Sequence, residues 1–162
     1  MLQHERIFRA LNAIKGQYVV VGGLAAVLHG VNRLTHDIDL VVELHTEPAL
    51  EMITTLSNLG YQPKVPVNAS DFADTDKRNV WIREKGMQVF SLWDPSNELP
   101  NIDLFVEYPV DFEELLTDAS VIDLGDCKIP IASVSHLISM KAKAGREQDI
   151  RDIEALSRLK SA

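Results

Sequence analysis

Short apolar runs alternate along the chain with stretches in which apolar residues recur every three or four positions, and this alternation predicts a mixed α/β fold. Leu2, Ile7, Phe8, Leu11 and Ile14 fall near helical spacing and stop at Gly16, predicting a first helix over residues 2–14. Tyr18-Val19-Val20-Val21 is an apolar, mostly β-branched run closed by Gly22-Gly23, and helix-forming composition resumes over residues 24–29. The order is strand, glycine turn, helix. A second strand is expected over residues 37–43, followed by a helix over residues 47–59 that Gly60 stops. Strands over residues 87–93 and 102–106 are joined through the turn-forming Asp94-Pro95-Ser96-Asn97. Between Pro63 and Arg83 the pattern weakens, predicting a loop that becomes helical around residues 77–84.

A short helix over residues 111–117 and a hairpin of residues 121–124 and 127–131 around Gly125-Asp126 come next. Two helices, residues 133–144 and 148–160, end the chain and are parted at Gly145. No repeat, low-complexity tract or linker interrupts the pattern. Residues 1–162 are therefore expected to form one domain, a mixed β-sheet flanked by helices.

Charge narrows the function classes. The formal net charge of -8 argues against a protein that grips nucleic acid through a broad basic face. The distribution is uneven, because residues 141–160 hold six basic side chains against four acidic ones. An acidic body with a mildly basic C-terminal helix suits local binding of a polyphosphate, with a divalent cation bridging it to carboxylates. The opening residues Met1-Leu2-Gln3-His4-Glu5-Arg6 contain no apolar leader segment, and no stretch reaches the ~20 apolar residues of a membrane span. A soluble, cytoplasmic protein with no membrane partner is expected. Cys127, the one cysteine, forms no internal disulfide and reads as a buried small hydrophobe.

The candidate chemistry lies in three places. Asp37 and Asp39 stand two apart at the head of the second strand, where side chains two positions apart share a face at a spacing of ~6.5–7 Å. Two like charges on a core face would be severely unfavourable, so the pair marks either an exposed strand entrance or a site, and a turn position for Asp37 with only Asp39 in the sheet fits the first case. A third carboxylate, Asp103, sits inside the strongly apolar Asn101-Ile102-Asp103-Leu104-Phe105-Val106. Three such acids on neighbouring strands suit one or two Mg²⁺ ions, and paired ions stabilise both oxygens of a phosphoryl displacement. Gly22-Gly23, with thirteen residues between Gly23 and Asp37, lets backbone approach a ligand with no Cβ in the way.

This combination resembles the nucleotidyltransferase superfamily with the DNA polymerase β fold. The stretch G-G-L-A-A-V-L-H-G-V-N-R-L-T-H-D-I-D-L-V-V is similar to small bacterial proteins of the AbiEii type, many of them toxins of toxin–antitoxin pairs. K-A-K-A-G-R-E-Q-D-I-R-D-I-E-A-L looks like that group's later motif, and the resemblance covers residues 18–43, 101–107 and 137–156. It implies transfer of a nucleoside monophosphate from a nucleoside triphosphate to an acceptor hydroxyl, with Mg²⁺ or Mn²⁺ as cofactor. Asp37, Asp39 and Asp103 would bind the metal, with Asp103 helping to activate the hydroxyl; Gly22 and Gly23 would hold the triphosphate and Lys141 or Lys143 would reach it. Many members carry serine where this chain has Gly23, so one hydroxyl contact to phosphate is missing. The acceptor stays open among tRNA, a protein and a small molecule, as does an antitoxin partner.

Flanking residues carry two readings each. Arg33 either touches a phosphate or neutralises the acids. Thr35 and His36 read as strand-entry residues and His29 as a helix C-terminal residue, while Asp149 and Asp152, three apart on one helix face, suit ion pairing more than metal binding. Trp81 and Trp93 serve either as a wall for a base or as core. A D-x-D also marks metal-dependent glycosyltransferases, for which 162 residues is short, and a catalytically silent member of the same fold is the other alternative.

Overall fold

The computed structural model describes residues 2–161. Its centre is a seven-stranded mixed sheet built from β1 (Tyr18–Val21), β2 (Ile38–Val42), β3 (Gln62–Pro63), β4 (Val89–Trp93), β5 (Ile102–Phe105), β6 (Ser120–Asp123) and β7 (Lys128–Ile131), in the spatial order β3-β4-β5-β2-β1-β7-β6. The helices are α1 (Leu2–Asn12), α2 (Gly22–Leu28), α3 (Thr46–Asn58), α4 (Thr75–Lys85), α5 (Phe112–Asp118), α6 (Val134–Ala144) and α7 (Glu147–Ser161). The expected mixed α/β class is the observed one, and the apolar runs at residues 18–21 and 38–42 form the middle of the sheet.

Four differences from the expected elements have physical causes. β2 begins at Ile38, whose backbone N–H donates to the Asn101 carbonyl at 2.9 Å, so Asp37 stands just ahead of the ladder and outside it. The glycines do not form a turn separate from the helix; α2 starts on Gly22 itself, directly after Val21. A two-residue strand and a short 3₁₀ turn, Ala69–Ala73, occupy the region expected to be loop. α4 starts earlier than expected because Asp74 caps it, its side chain accepting from the backbone N–H groups of Asp76 and Lys77.

The core lies where the strand pattern requires. Ile38, Leu40, Ile102 and Leu104 are all completely buried, and the parallel register pairs Ile38 with Ile102 and Leu40 with Leu104. Alternation along each strand then turns Asp39 and Asp103 to the opposite face. Phe8, Phe72 and Phe90 fill the volume on the helix side, and Cys127 is buried as expected. Among the described residues no helix is long and apolar enough to cross a membrane.

Candidate active site

Backbone register builds the centre of the site. Val21 pairs with Asp39, Asp39 with Asp103, and Asp103 with Ser91, so these four residues form one row across β1, β2, β5 and β4. Neighbouring strands lie ~4.8 Å apart, which brings the Asp39 and Asp103 side chains alongside each other. Ser91 Oγ donates to Asp103 Oδ1 at 2.6 Å and fixes one carboxylate oxygen. Asp39 and Asp103 are half-buried, whereas Asp37 is exposed. The strand acids are thus less desolvated than a strand of three buried charges would be, and Asp37 occupies the strand-entrance position.

Charge accumulates at Asp39. Burial first, then the carboxylates of Asp103 and Asp37, push its pKa up to about 6, against the opposing effect of Lys141 and Arg146. Such crowding is relieved by a bound cation. Carboxylate oxygens are the donor type that hard divalent ions take, so the three acids fit such an ion chemically. Among the described residues, however, no three His, Cys, Asp or Glu side chains are gathered into a ready metal-holding cluster.

The two glycines lie directly beneath these groups. Gly22 has φ +67°, and a Cβ there would stand 2.8 Å from the Asp39 carboxyl carbon. A Cβ on Gly23 would stand 2.7 Å from Thr35 Oγ1 and 3.4 Å from the Arg33 guanidinium carbon. Both positions are closed to any side chain while the acids and the preceding loop keep their places.

The cations are not free. Lys141 is buried and its Nζ donates to Asp152 Oδ2 at 2.7 Å, with Asp149 Oδ1 at 3.9 Å. Arg33 Nη1 donates to the same Asp152 oxygen at 2.6 Å, and Gln148 Nε2 donates to the other at 2.9 Å. Arg146 binds Asp149 through its side chain and its backbone N–H. Burial opposes ionisation of Asp152, but hydrogen bonds from Lys141 and Gln148 and the charges of Lys141 and Arg33 outweigh it and hold the carboxyl below the ordinary range. Ion pairing at Asp149 and Asp152 is therefore the observed role, and Arg33 pairs with Asp152 across the fold, a partner neither of its sequence readings named. Lys141, Lys143 and Arg146 fall within one and a half turns and need not share a face, and they do not share one environment: Lys141 is buried and Lys143 exposed.

These residues line a cleft with two chambers. The first, about 420 Å³, is bounded by Gly23, Arg33, Thr35, Asp37, Asp39 and Asp103, with His36 exposed at its rim. The second, about 580 Å³, contains Gly22, Lys143 and the apolar Phe105, Leu137 and Met140. Asp39, Asp103, Lys141, Arg146 and Asp149 border both. Trp81 lies elsewhere, stacked on Phe90 at 5.2 Å in the core, and Trp93 stands on β4 opposite Gln62 of the outermost strand. Neither tryptophan borders the cleft. His29 ends α2, with Nε2 2.7 Å from the Ala132 carbonyl. Ser91 and Gln148 escaped the sequence reading, because a serine in an alternating strand and a glutamine in a polar helix carry no signal until register is known.

A family model described as a nucleotidyltransferase of unknown function (DUF6036) matches residues 4–161. No curated protein matches the chain. The fold is similar to the crystal structure of the lincosamide antibiotic adenylyltransferase LnuA with lincomycin bound, at 19% identity and a TM-score of 0.66, covering 98% of this chain and 96% of that one. An antigenic nucleotidyltransferase-like protein from Paracoccidioides brasiliensis has a TM-score of 0.63 at 18% identity, covering 98% of this chain and 76% of that one. The antibiotic-resistance factor ANT(2'')-Ia has a TM-score of 0.56 at 17% identity, with 98% and 80% covered.

Proposed function

Because the chain belongs to a family of nucleotidyltransferases of unknown function, DUF6036, we propose that it moves a nucleoside monophosphate from a nucleoside triphosphate to a hydroxyl of a small molecule, releasing pyrophosphate, at the cleft bordered by Asp37, Asp39 and Asp103. The observation that carries this reading is the Asp39–Asp103 rung of the sheet, set against Gly22 and facing a cleft that Asp37 also borders.

Asp37, Asp39 and Asp103 would hold Mg²⁺, or Mn²⁺ in its place, through carboxylate oxygens. When bound, the ion neutralises charge developing on the phosphoryl oxygens. Ser91 occupies Asp103 Oδ1, leaving Oδ2 to accept the proton of the acceptor hydroxyl. Gly22 and Gly23 let the triphosphate lie against bare backbone. Arg33 and Lys141 keep the wall beside the phosphates positive without being free cations, since Asp152 holds both. Lys143 borders the second chamber and would meet the acceptor side or the departing pyrophosphate.

The second chamber supports the choice of acceptor. Its volume and its Phe105, Leu137 and Met140 lining suit a drug-sized molecule with an apolar face. The net charge of -8 disfavours a polyanionic acceptor. Two proteins of similar fold are described as an antibiotic adenylyltransferase and an antibiotic-resistance factor.

The test is incubation with each α-labelled nucleoside triphosphate and Mg²⁺ against separated small-molecule, RNA and protein fractions of a cell extract. Label is expected on the small-molecule fraction and is expected to disappear in Asp37→Ala and Asp39→Ala. Label on RNA or protein instead would overturn the small-molecule acceptor and favour a toxin-like role with an antitoxin partner. No label anywhere, together with no metal-dependent triphosphate binding, would overturn the transfer itself.

A further inference from the structure

We infer that Thr35 is a phosphate-binding residue, delivering its hydroxyl to the triphosphate from the space that a side chain at position 23 would otherwise fill. The inference rests on the nucleotidyltransferase reading and assigns one group within it.

The backbone at Gly23 is crowded by the loop that precedes β2. A Cβ there would meet Thr35 Oγ1 at 2.7 Å, Thr35 Cβ at 3.3 Å and the Arg33 guanidinium carbon at 3.4 Å. The volume beside Gly23 is therefore taken by a hydroxyl and a guanidinium, groups that suit an anion, rather than by apolar core. Thr35 is half-buried and borders the first chamber together with Gly23, Asp37 and Asp39.

Its placement is held from two sides. Thr35 lies two residues before Asp37, so β2 anchors it downstream through the pairing of Ile38 with Ile102. Upstream, Arg33 is fixed by its bond to the fully buried Asp152 and by a second bond from its Nε to the Leu34 carbonyl at 3.1 Å. The loop thus lies over the first turn of α2, and the absent side chain of Gly23 is what allows it to do so. The polar contact that residue 23 lacks is present one loop away, on residue 35.

Inorganic tripolyphosphate with Mg²⁺ isolates this contact from any recognition of a base. Thr35→Val keeps the shape and deletes the hydroxyl, and is expected to weaken tripolyphosphate binding by about tenfold, as loss of a hydrogen bond to a charged group does. Thr35→Ser is expected to stay within about twofold of the wild type. Gly23→Ser alone is expected to bind poorly through its clash with Thr35. The double variant Gly23→Ser/Thr35→Ala returns a hydroxyl to the same space and is expected to bind more tightly than Thr35→Ala. Thermal melts identify any variant that fails to fold, and Thr35→Ser with the double variant decides the matter if Thr35→Val is one of them. Wild-type affinity in Thr35→Val, or a double variant no better than Thr35→Ala, would overturn the inference alone. A wild-type protein that binds neither tripolyphosphate nor any nucleoside triphosphate would overturn the nucleotidyltransferase reading beneath it.

Discussion

At the scale of single residues, the site is governed by how little room separates Gly22 from Asp39. A left-handed backbone and a carboxylate inside contact range leave glycine as the residue that position 22 accepts. Burial, and then the carboxylates of Asp103 and Asp37, raise the Asp39 pKa to about 6 from an ordinary 3.8. The folded protein keeps the Asp39 proton at pH values where the unfolded chain has released it. This contribution to stability is complete below the unfolded value and is lost as pH rises through about 6. Thermal melts in EDTA are expected to show wild-type stability falling relative to Asp39→Asn between about pH 4 and about pH 6.5. A pH-independent difference between the two would refute it. The spacing of Asp37 and Asp39 was legible in the sequence, since strand periodicity turns residues two apart to one side. Their burial was not, because exposure at a strand entrance depends on where pairing starts, and here it starts at Ile38.

At the scale of elements, α7 acts as a counter-ion platform. Asp152 is 1% exposed and receives Lys141, Arg33 and Gln148, so Asp152→Asn keeps one oxygen acceptor but removes the charge, leaving Asp149 at 3.9 Å as the ion-pair partner of the buried ammonium. Breaking a buried pair from one side costs ~3–5 kcal/mol, and the lower end, ~3 kcal/mol, is expected because Arg33 can turn back to water. Urea unfolding of Asp152→Asn against the wild type measures this, and loss of less than ~1 kcal/mol would contradict a structural role. The D-x-x-D spacing announced a charged face on α7, and two of its partners, Arg146 three residues before Asp149 and Gln148 four before Asp152, follow from helical spacing; Lys141 on α6 and Arg33 in the loop before β2 are encoded by no local pattern. α4 was poorly legible for a related reason. Arg78, which carries no signal in the sequence, is buried, donating to the carbonyls of Phe72 and Leu44 and lying 5.7 Å from the Phe72 ring centroid. Burial of a cation on backbone carbonyls leaves the helix without an apolar stripe.

At the scale of the whole molecule, the charge is acidic, and of the four lysines and arginines bordering the cleft Arg33, Lys141 and Arg146 are already paired with carboxylates, leaving the exposed Lys143. Bulk tRNA in a filter-binding assay at 0.15 M salt is therefore expected to be retained no better than an uncharged control, and salt-sensitive retention would contradict this. The mixed α/β class was legible from alternating periodicities. The strand order was not, because the decisive parallel pairing joins Asp39 to Asp103 across the two helices α3 and α4 and the two strands β3 and β4, and sequence periodicity carries no information about partners. The bond between Arg33 and Asp152 spans 119 positions, which gives the site an order of birth. A chain leaving the ribosome presents its glycines and its three acids early, but the loop carrying Thr35 stays unfastened until α7 has emerged and docked. A ribosome-held nascent chain that stops short of Asp152 therefore holds the three acids without the bond that fastens the loop before β2, and under the proposed function it is expected to bind a nucleoside triphosphate more weakly than a chain that includes α7.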